Sequence, residues 1–210
     1  MSPQTCAPVR AFGWLLCALA AAAAAQDYPT RPLRLVVGFP PGGGADGAAR
    51  AVAQKLNDAW GQPVIVDNRA GAGGNVAADI VSYGAPDGYT LLVTSPGPVV
   101  INPALYAKLP YDPQKQLAPV TLIAAGANVL VVPPSSAATG VPQLIALARA
   151  RPGELNYASS GIGTIPHLSG ELFRIAAGIR VAHVAYRGAA PAVIDLMAAR
   201  TDFMLVSVPS

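Results

Sequence analysis

One local pattern constrains this chain more than any other: a short apolar run, a glycine-rich loop, then a helix, written twice. Residues 33–39 (LRLVVGF) empty into Pro40-Pro41-Gly42-Gly43-Gly44-Ala45-Asp46. Residues 155–159 (LNYAS) empty into Ser160-Gly161-Ile162-Gly163-Thr164. Short continuous apolar runs of this kind are strands buried on both faces. Alternation with helices makes them the units of a parallel sheet. The fold class is therefore α/β, with parallel sheet covered by helices on both faces.

The rest of the chain extends the same alternation. Strands are expected at 64–68 (VIVDN) and 89–94 (YTLLVT), and helices at 45–59 and 75–83. Prolines at 96, 98, 103, 110 and 113 then break the pattern. Further strands are expected at 120–124, 128–132, 181–186 and 203–206. Helices are expected at 141–150, with Pro142 suited to the first turn, at 166–177 and at 190–199. Two strand–loop–helix units imply two lobes, residues 26–126 and 127–210, each offering one loop to a shared cleft. The hinge is expected near 125–128.

Residues 1–25 stand apart. Arg10 precedes an uncharged apolar stretch over 11–25 that ends in small residues at Ala23 and Ala25. This is the form of a cleaved secretory signal peptide, about 15 apolar residues against the roughly 20 that span a bilayer. Both cysteines, Cys6 and Cys17, fall inside it. An exported chain without further cysteine uses neither disulfides nor thiol chemistry.

The charge balance excludes one partner class. Fourteen Lys and Arg face eleven acids over the whole chain, and the basic residues are scattered singly. No basic stripe with interleaved aromatics marks a nucleic-acid surface. The pI near 9.0 reflects few charges of either sign.

Chemically, the first loop sets successive backbone N–H groups at a helix start, where orphan donors and the helix dipole favour an anion. Asp46 reads equally as a helix cap or as a ligand contact. Gly42, Gly44 and Gly47 satisfy G-x-G-x-x-G, and Asp67 stands where a ribose-binding acid would. That nucleotide-dependent oxidoreductase reading is remote, because a lone match of this pattern is weak, an exported protein rarely meets nucleotide cofactors, and Pro40-Pro41 alters the entry to the turn. The second loop adds hydroxyls without a lysine or arginine, a surface that suits a carboxylate held by neutral donors and bridging water. Catalysis finds little support. His167 lies near Ser159 and Ser160, yet Gly-x-Ser-x-Gly is absent and no acid is placed to orient the ring. His183 reads as a packed core or interface histidine, and two histidines without an acidic or cysteine cluster make no metal site. No cofactor is expected.

Taken together, "YPTRPLRLVVGFPPGGGAD", "WGQPVIVDNRAGAGGNVAAD", "APDGYTLLV", "INPALYAKLPYDP" and "LNYASSGIGTIPHLSGELF…VAHVAYRGAAPAVIDLM" resemble the Bug (TctC-like) family. These are the extracytoplasmic solute receptors of tripartite tricarboxylate transporters. The resemblance implies a type II periplasmic-binding-protein fold, a periplasmic location and a monomer that hands its solute to membrane permease subunits. It implies a small carboxylate ligand, whether a di- or tricarboxylate, an amino acid or an aromatic acid. Carried onto this sequence, the ligand-binding roles fall to Phe39, Gly42, Gly43, Gly44 and Asp46 from the first lobe, with Ser95 beside them. From the second lobe they fall to Ser159, Ser160, Gly161, Gly163, Thr164 and His167.

Three departures from the family pattern stand out. Where members usually carry a Thr/Ser/Gly/His-rich stretch after the third strand, this chain has Ser95-Pro96-Gly97-Pro98-Val99-Val100, and its prolines withdraw N–H donors. Where members commonly carry Asp-Asn after the last strand, it has Val206-Ser207. The resemblance also implies roughly 300 mature residues, so the first lobe is expected to be incomplete, with sheet edge and apolar face uncovered. Two further readings follow: a solute-sensing signalling partner, and a non-functional fragment of a longer receptor.

Overall fold

The computed structural model describes residues 28–208; the expected signal peptide lies outside them. Two sheets organise the chain. The first contains β1 (Leu33–Val37), β2 (Val64–Asn68) and β3 (Thr90–Val93) in the order β2-β1-β3, all parallel. The second contains β4 (Asn128–Val131), β5 (Asn156–Ser159), β6 (Ala182–Ala185) and β7 (Phe203–Ser207) in the order β4-β7-β5-β6.

In the first sheet, Leu35 and Val37 of β1 pack with Val93 against Ala49 and Ala53 of α1 (Gly44–Trp60). The i, i+4 alanines let that helix lie close to the strand. Gly61 ends α1 in the left-handed region at φ 65° and returns its N–H to Asn57 O, as a C-terminal glycine does. Beyond β2, α2 (Asn75–Ser82) buries Ala77 and Ala78. After β3 come a π-helical turn over Gly97–Ile101 and two short helices, α3 (Asn102–Leu105) and α4 (Pro113–Gln116).

Period-two alternation builds the second sheet's two cores. Tyr157 and Phe203 pack with Leu144 and Ala148 of α5 (Val141–Ala150), and with Leu155 and Ile179. Ala158 and Met204, one residue further along each strand, pack with Ala192 and Leu196 of α7 (Ala189–Met197). Pro142 does lie in the first turn of α5. The helix following β5 is α6 (Ile165–Ala177), and its Gly170 sits directly on the Tyr157 ring.

The structure corrects two expectations. No strand forms over 120–124; residues 120–127 are exposed. An apolar run becomes a strand only when a neighbour supplies hydrogen bonds, and none of the described strands pairs with it. The second sheet is also mixed, since β4 runs antiparallel to β7. Helices cover both faces of the second sheet but not all of the first, where Ile65 on edge strand β2 is 54% exposed.

Candidate functional site

Loops at the carboxyl ends of strands from both sheets meet around one cleft of about 210 Å³. Gly38 and Phe39 arrive from β1, Gly71–Gly74 from β2 and Tyr106 from the segment after α3. Ser160–Ile162 arrive from β5 and Ala185–Arg187 from β6. The carboxyl ends of strands are where open α/β sheets hold ligands. Four helices start beside these loops, with N-caps Gly43 (α1), Gly74 (α2), Thr164 (α6) and Gly188 (α7). None carries a side-chain cap bond. Among the described residues no carboxylate lines the cleft, so the charge they bring to it comes from helix N-termini and Arg187.

The first glycine loop is braced from within. Gly42, at φ 86°, donates its N–H to Asp46 Oδ2 at 3.0 Å, and Arg50 Nε donates to the same oxygen at 2.9 Å. Asn68 Nδ2 donates to Asp46 Oδ1 at 2.9 Å and to Phe39 O at 3.0 Å. The Arg50 hydrogen bond, with those from Gly42 and Asn68, holds the Asp46 carboxyl down at about 2, against the pull of burial. Asp46 is 3% exposed and ties its loop to the end of β2.

The loop after β2 has the most constrained backbone. Gly71, Ala72, Gly73 and Gly74 all have positive φ, which lets the chain coil tightly before α2. Behind it, Asn75 Oδ1 accepts from Asn102 Nδ2 at 2.6 Å and from Tyr111 Oη at 2.8 Å. Burial pushes the Tyr111 hydroxyl up to about 12, so it stays a donor.

Histidines brace the second glycine loop. Ser159 Oγ accepts the Gly161 N–H at 3.2 Å and bonds His183 Nε2 at 2.7 Å. Thr164 Oγ1 donates to Gly161 O at 2.6 Å, and Gly163 donates its N–H to His167 Nδ1 at 3.3 Å. That last bond requires an unprotonated Nδ1. His167 stacks on His183 at 4.4 Å between centroids, and His183 stacks on Tyr157 at 4.8 Å. Burial holds both imidazoles below the usual 6.5, and His167 lowers His183 further.

Where the two sets of loops touch, they do so through glycine. A Cβ on Gly73 would stand 2.3 Å from Ile162 O, and one on Gly163 would stand 1.9 Å from Asn102 Oδ1. A Cβ on Gly188 would stand 2.5 Å from Pro40 Cδ. This approach tolerates no side chain.

Of the residues expected to bind ligand, Phe39, Ser160 and Gly161 line the cleft. Gly42, Gly43, Gly44 and Asp46 form the neck of the first loop and the start of α1 behind it. Ser159, Gly163, Thr164 and His167 hold the second loop in shape. Ser95 Oγ is buried and has no hydrogen-bond partner among the described residues. Asp67 is taken up by Arg34 Nε at 2.8 Å and Arg69 Nε at 3.0 Å, which removes the acid invoked for a ribose. Sequence reasoning missed Gly71–Gly74, Tyr106, Tyr186 and Arg187. The run Gly71-Ala72-Gly73-Gly74 before a helix repeats the signal of the first loop and was legible; Tyr106 and Arg187 carry no such local mark.

A family model described as the tripartite tricarboxylate transporter family receptor matches residues 48–210. Protein BugT of Bordetella pertussis is 41% identical over 180 residues, covering 85% of this chain and 55% of BugT. An R. palustris protein solved with adipate superposes with a TM-score of 0.85 at 40% identity, covering 87% of this chain and 61% of that one. MatC from Rhodopseudomonas palustris, solved with bound malate, gives a TM-score of 0.80 at 30% identity, covering 86% and 61%. A further solved neighbour, described as a periplasmic transporter, gives 0.84 at 38% identity, and the mixed α/β fold is shared with the solved periplasmic binding protein BugD, TM-score 0.77 at 30% identity. The chain spans about half the length of the curated relatives it matches.

Proposed function

The chain belongs to the tripartite tricarboxylate transporter receptor family, and from that premise we propose that it captures a small carboxylate in the periplasm for membrane permease subunits. The observation that carries this reading is the acid-free cleft, walled by glycine backbone beside helices whose N-termini lack side-chain caps. A carboxylate there would accept from loop N–H groups. Charge-assisted bonds of this type contribute about 1.5–3 kcal/mol each, and each helix end adds about 0.3–1 kcal/mol. Nothing in this role needs bond chemistry, so the protein acts as a binder and not as an enzyme.

In this reading residues 26–126 and 127–210 act as two lobes of a monomer, and their closure over solute is what the permease senses. The glycine contacts across the seam support such closure, because they let backbone meet backbone. The carboxylates named with two neighbours, adipate and malate, support the ligand class. Calorimetric titration of the chain with di- and tricarboxylates, amino acids and nicotinate-like acids tests it. Saturable heat from a carboxylate is the expected result, and its absence across the whole set would overturn the reading.

A further inference from the structure

We propose that Arg187 is the residue that selects the ligand: its guanidinium receives a second carboxylate, so the cleft prefers dicarboxylates to monocarboxylates of the same chain length. The inference rests on the carboxylate-receptor reading above. Arg187 is the one charged residue among those lining the cleft. It makes no ion pair and no side-chain hydrogen bond with any other described residue. The acid carried by the adjoining helix is already engaged, since Asp195 accepts from Tyr186 Oη and from Arg200 Nη1, each at 2.8 Å.

The backbone on either side of Arg187 is held while its tip is free. Tyr186 donates its N–H to Ser159 O at 3.0 Å. Gly188, at φ 134°, packs so closely on Pro40 that no Cβ fits between them. This clamps the residue at the seam where the β6–α7 loop meets the β1–α1 loop. A guanidinium so mounted offers a carboxylate two parallel N–H donors in a fixed fork.

The remaining lining supplies backbone N–H groups and aromatic rings, enough for one carboxylate and an apolar body. A second carboxylate finds a cationic partner at Arg187 alone. A monocarboxylate leaves that guanidinium in water and gains nothing from it. Charge-assisted pairing at a site still open to solvent gives the diacid an advantage of about tenfold or more.

The test compares adipate with hexanoate, and succinate with butyrate, by calorimetry on the unaltered chain, Arg187→Gln and Arg187→Lys. The expected result is a diacid preference in the unaltered chain that collapses at least about tenfold in Arg187→Gln. Arg187→Lys should restore part of it, because the charge returns without the fork. Binding of both acids by the unaltered chain with an unchanged ratio in Arg187→Gln overturns this inference and leaves the receptor reading standing. Equal loss of both acids in Arg187→Gln also overturns it, since selection then lies elsewhere. Failure of the unaltered chain to bind any of the four acids, or any other carboxylate, overturns the receptor reading and this inference with it.

Discussion

Gly42 donates its backbone N–H to the Asp46 carboxylate at 3.0 Å, so the neck of the first glycine loop is tied to the first turn of the helix behind it. The same carboxylate collects Arg50 and Asn68. The loop is therefore rigid before any solute arrives, and a preorganised loop spends less binding energy on ordering itself.

Asp46→Asn should lower the thermal midpoint by about 5 °C at pH 7, from a loss on the order of 2 kcal/mol. A carboxyl held at about 2 contributes stability that is present above its unfolded value near 3.8 and is lost as pH falls towards 2. The gap between variant and unaltered chain should therefore close over that window. Melting curves from pH 7 to 2 check it, and a gap that persists at pH 2 contradicts the assignment.

The histidine stack acts in a different window. Both imidazoles are held below 6.5 by burial, so the unfolded chain binds protons more readily than the folded one. Stability is then full above about 6.5 and falls as pH drops below it. His167→Phe keeps an aromatic ring on His183 and removes one titrating group. Its melting point should decline less between pH 7.5 and 5 than that of the unaltered chain, and an equal decline would clear the stack of any role.

Glycines at the seam should cost more to replace than glycines facing open space. Gly178 (φ 60°) has nothing near its would-be Cβ, whereas Gly163 (φ 79°) has Asn102 Oδ1 at 1.9 Å. Gly178→Ala should cost about 1–2 kcal/mol from conformation alone. Gly163→Ala should add about 1–3 kcal/mol of overpacking and weaken carboxylate binding. Chemical denaturation of the two variants side by side measures the difference.

Gly170→Ala inverts the usual helix rule. Alanine in a helix interior normally gains up to about 1 kcal/mol over glycine. Here its Cβ would lie 2.2 Å from the fully buried Tyr157 ring, so a net loss of about 1–3 kcal/mol is expected. Adding Tyr157→Leu should recover part of that loss relative to Tyr157→Leu alone, a coupling that a double-mutant cycle reads directly.

Much of the fold was legible from local pattern. The run LRLVV is nearly all buried as β1, and Gly61 stops α1 where a left-handed residue is needed. The run VTLIA at 120–124 carries the same β-branched signal and forms no strand, because pairing depends on a neighbour that a window of sequence does not contain. The site was legible in part for a similar reason. Glycine spacing marks Phe39, Ser160 and Gly161 as loop residues near a ligand. It does not say that Gly42 has already given its N–H to Asp46, or that His167 turns towards His183.

By itself, then, the sequence determined the strand–loop–helix units, the glycines that permit positive φ, and a family resemblance upheld by the match over residues 48–210. These are properties of bonded neighbours and periodicity. Tertiary structure decided which loop N–H groups are already engaged and which residues line the cleft. Arg187 follows a strand 148 positions after Phe39 in the chain, yet both line one cleft. The packing of Gly188 on Pro40 joins their two loops directly, and that of Gly73 on Ile162 joins the neighbouring pair, because contact between distant segments is set by shape in space and not by local order.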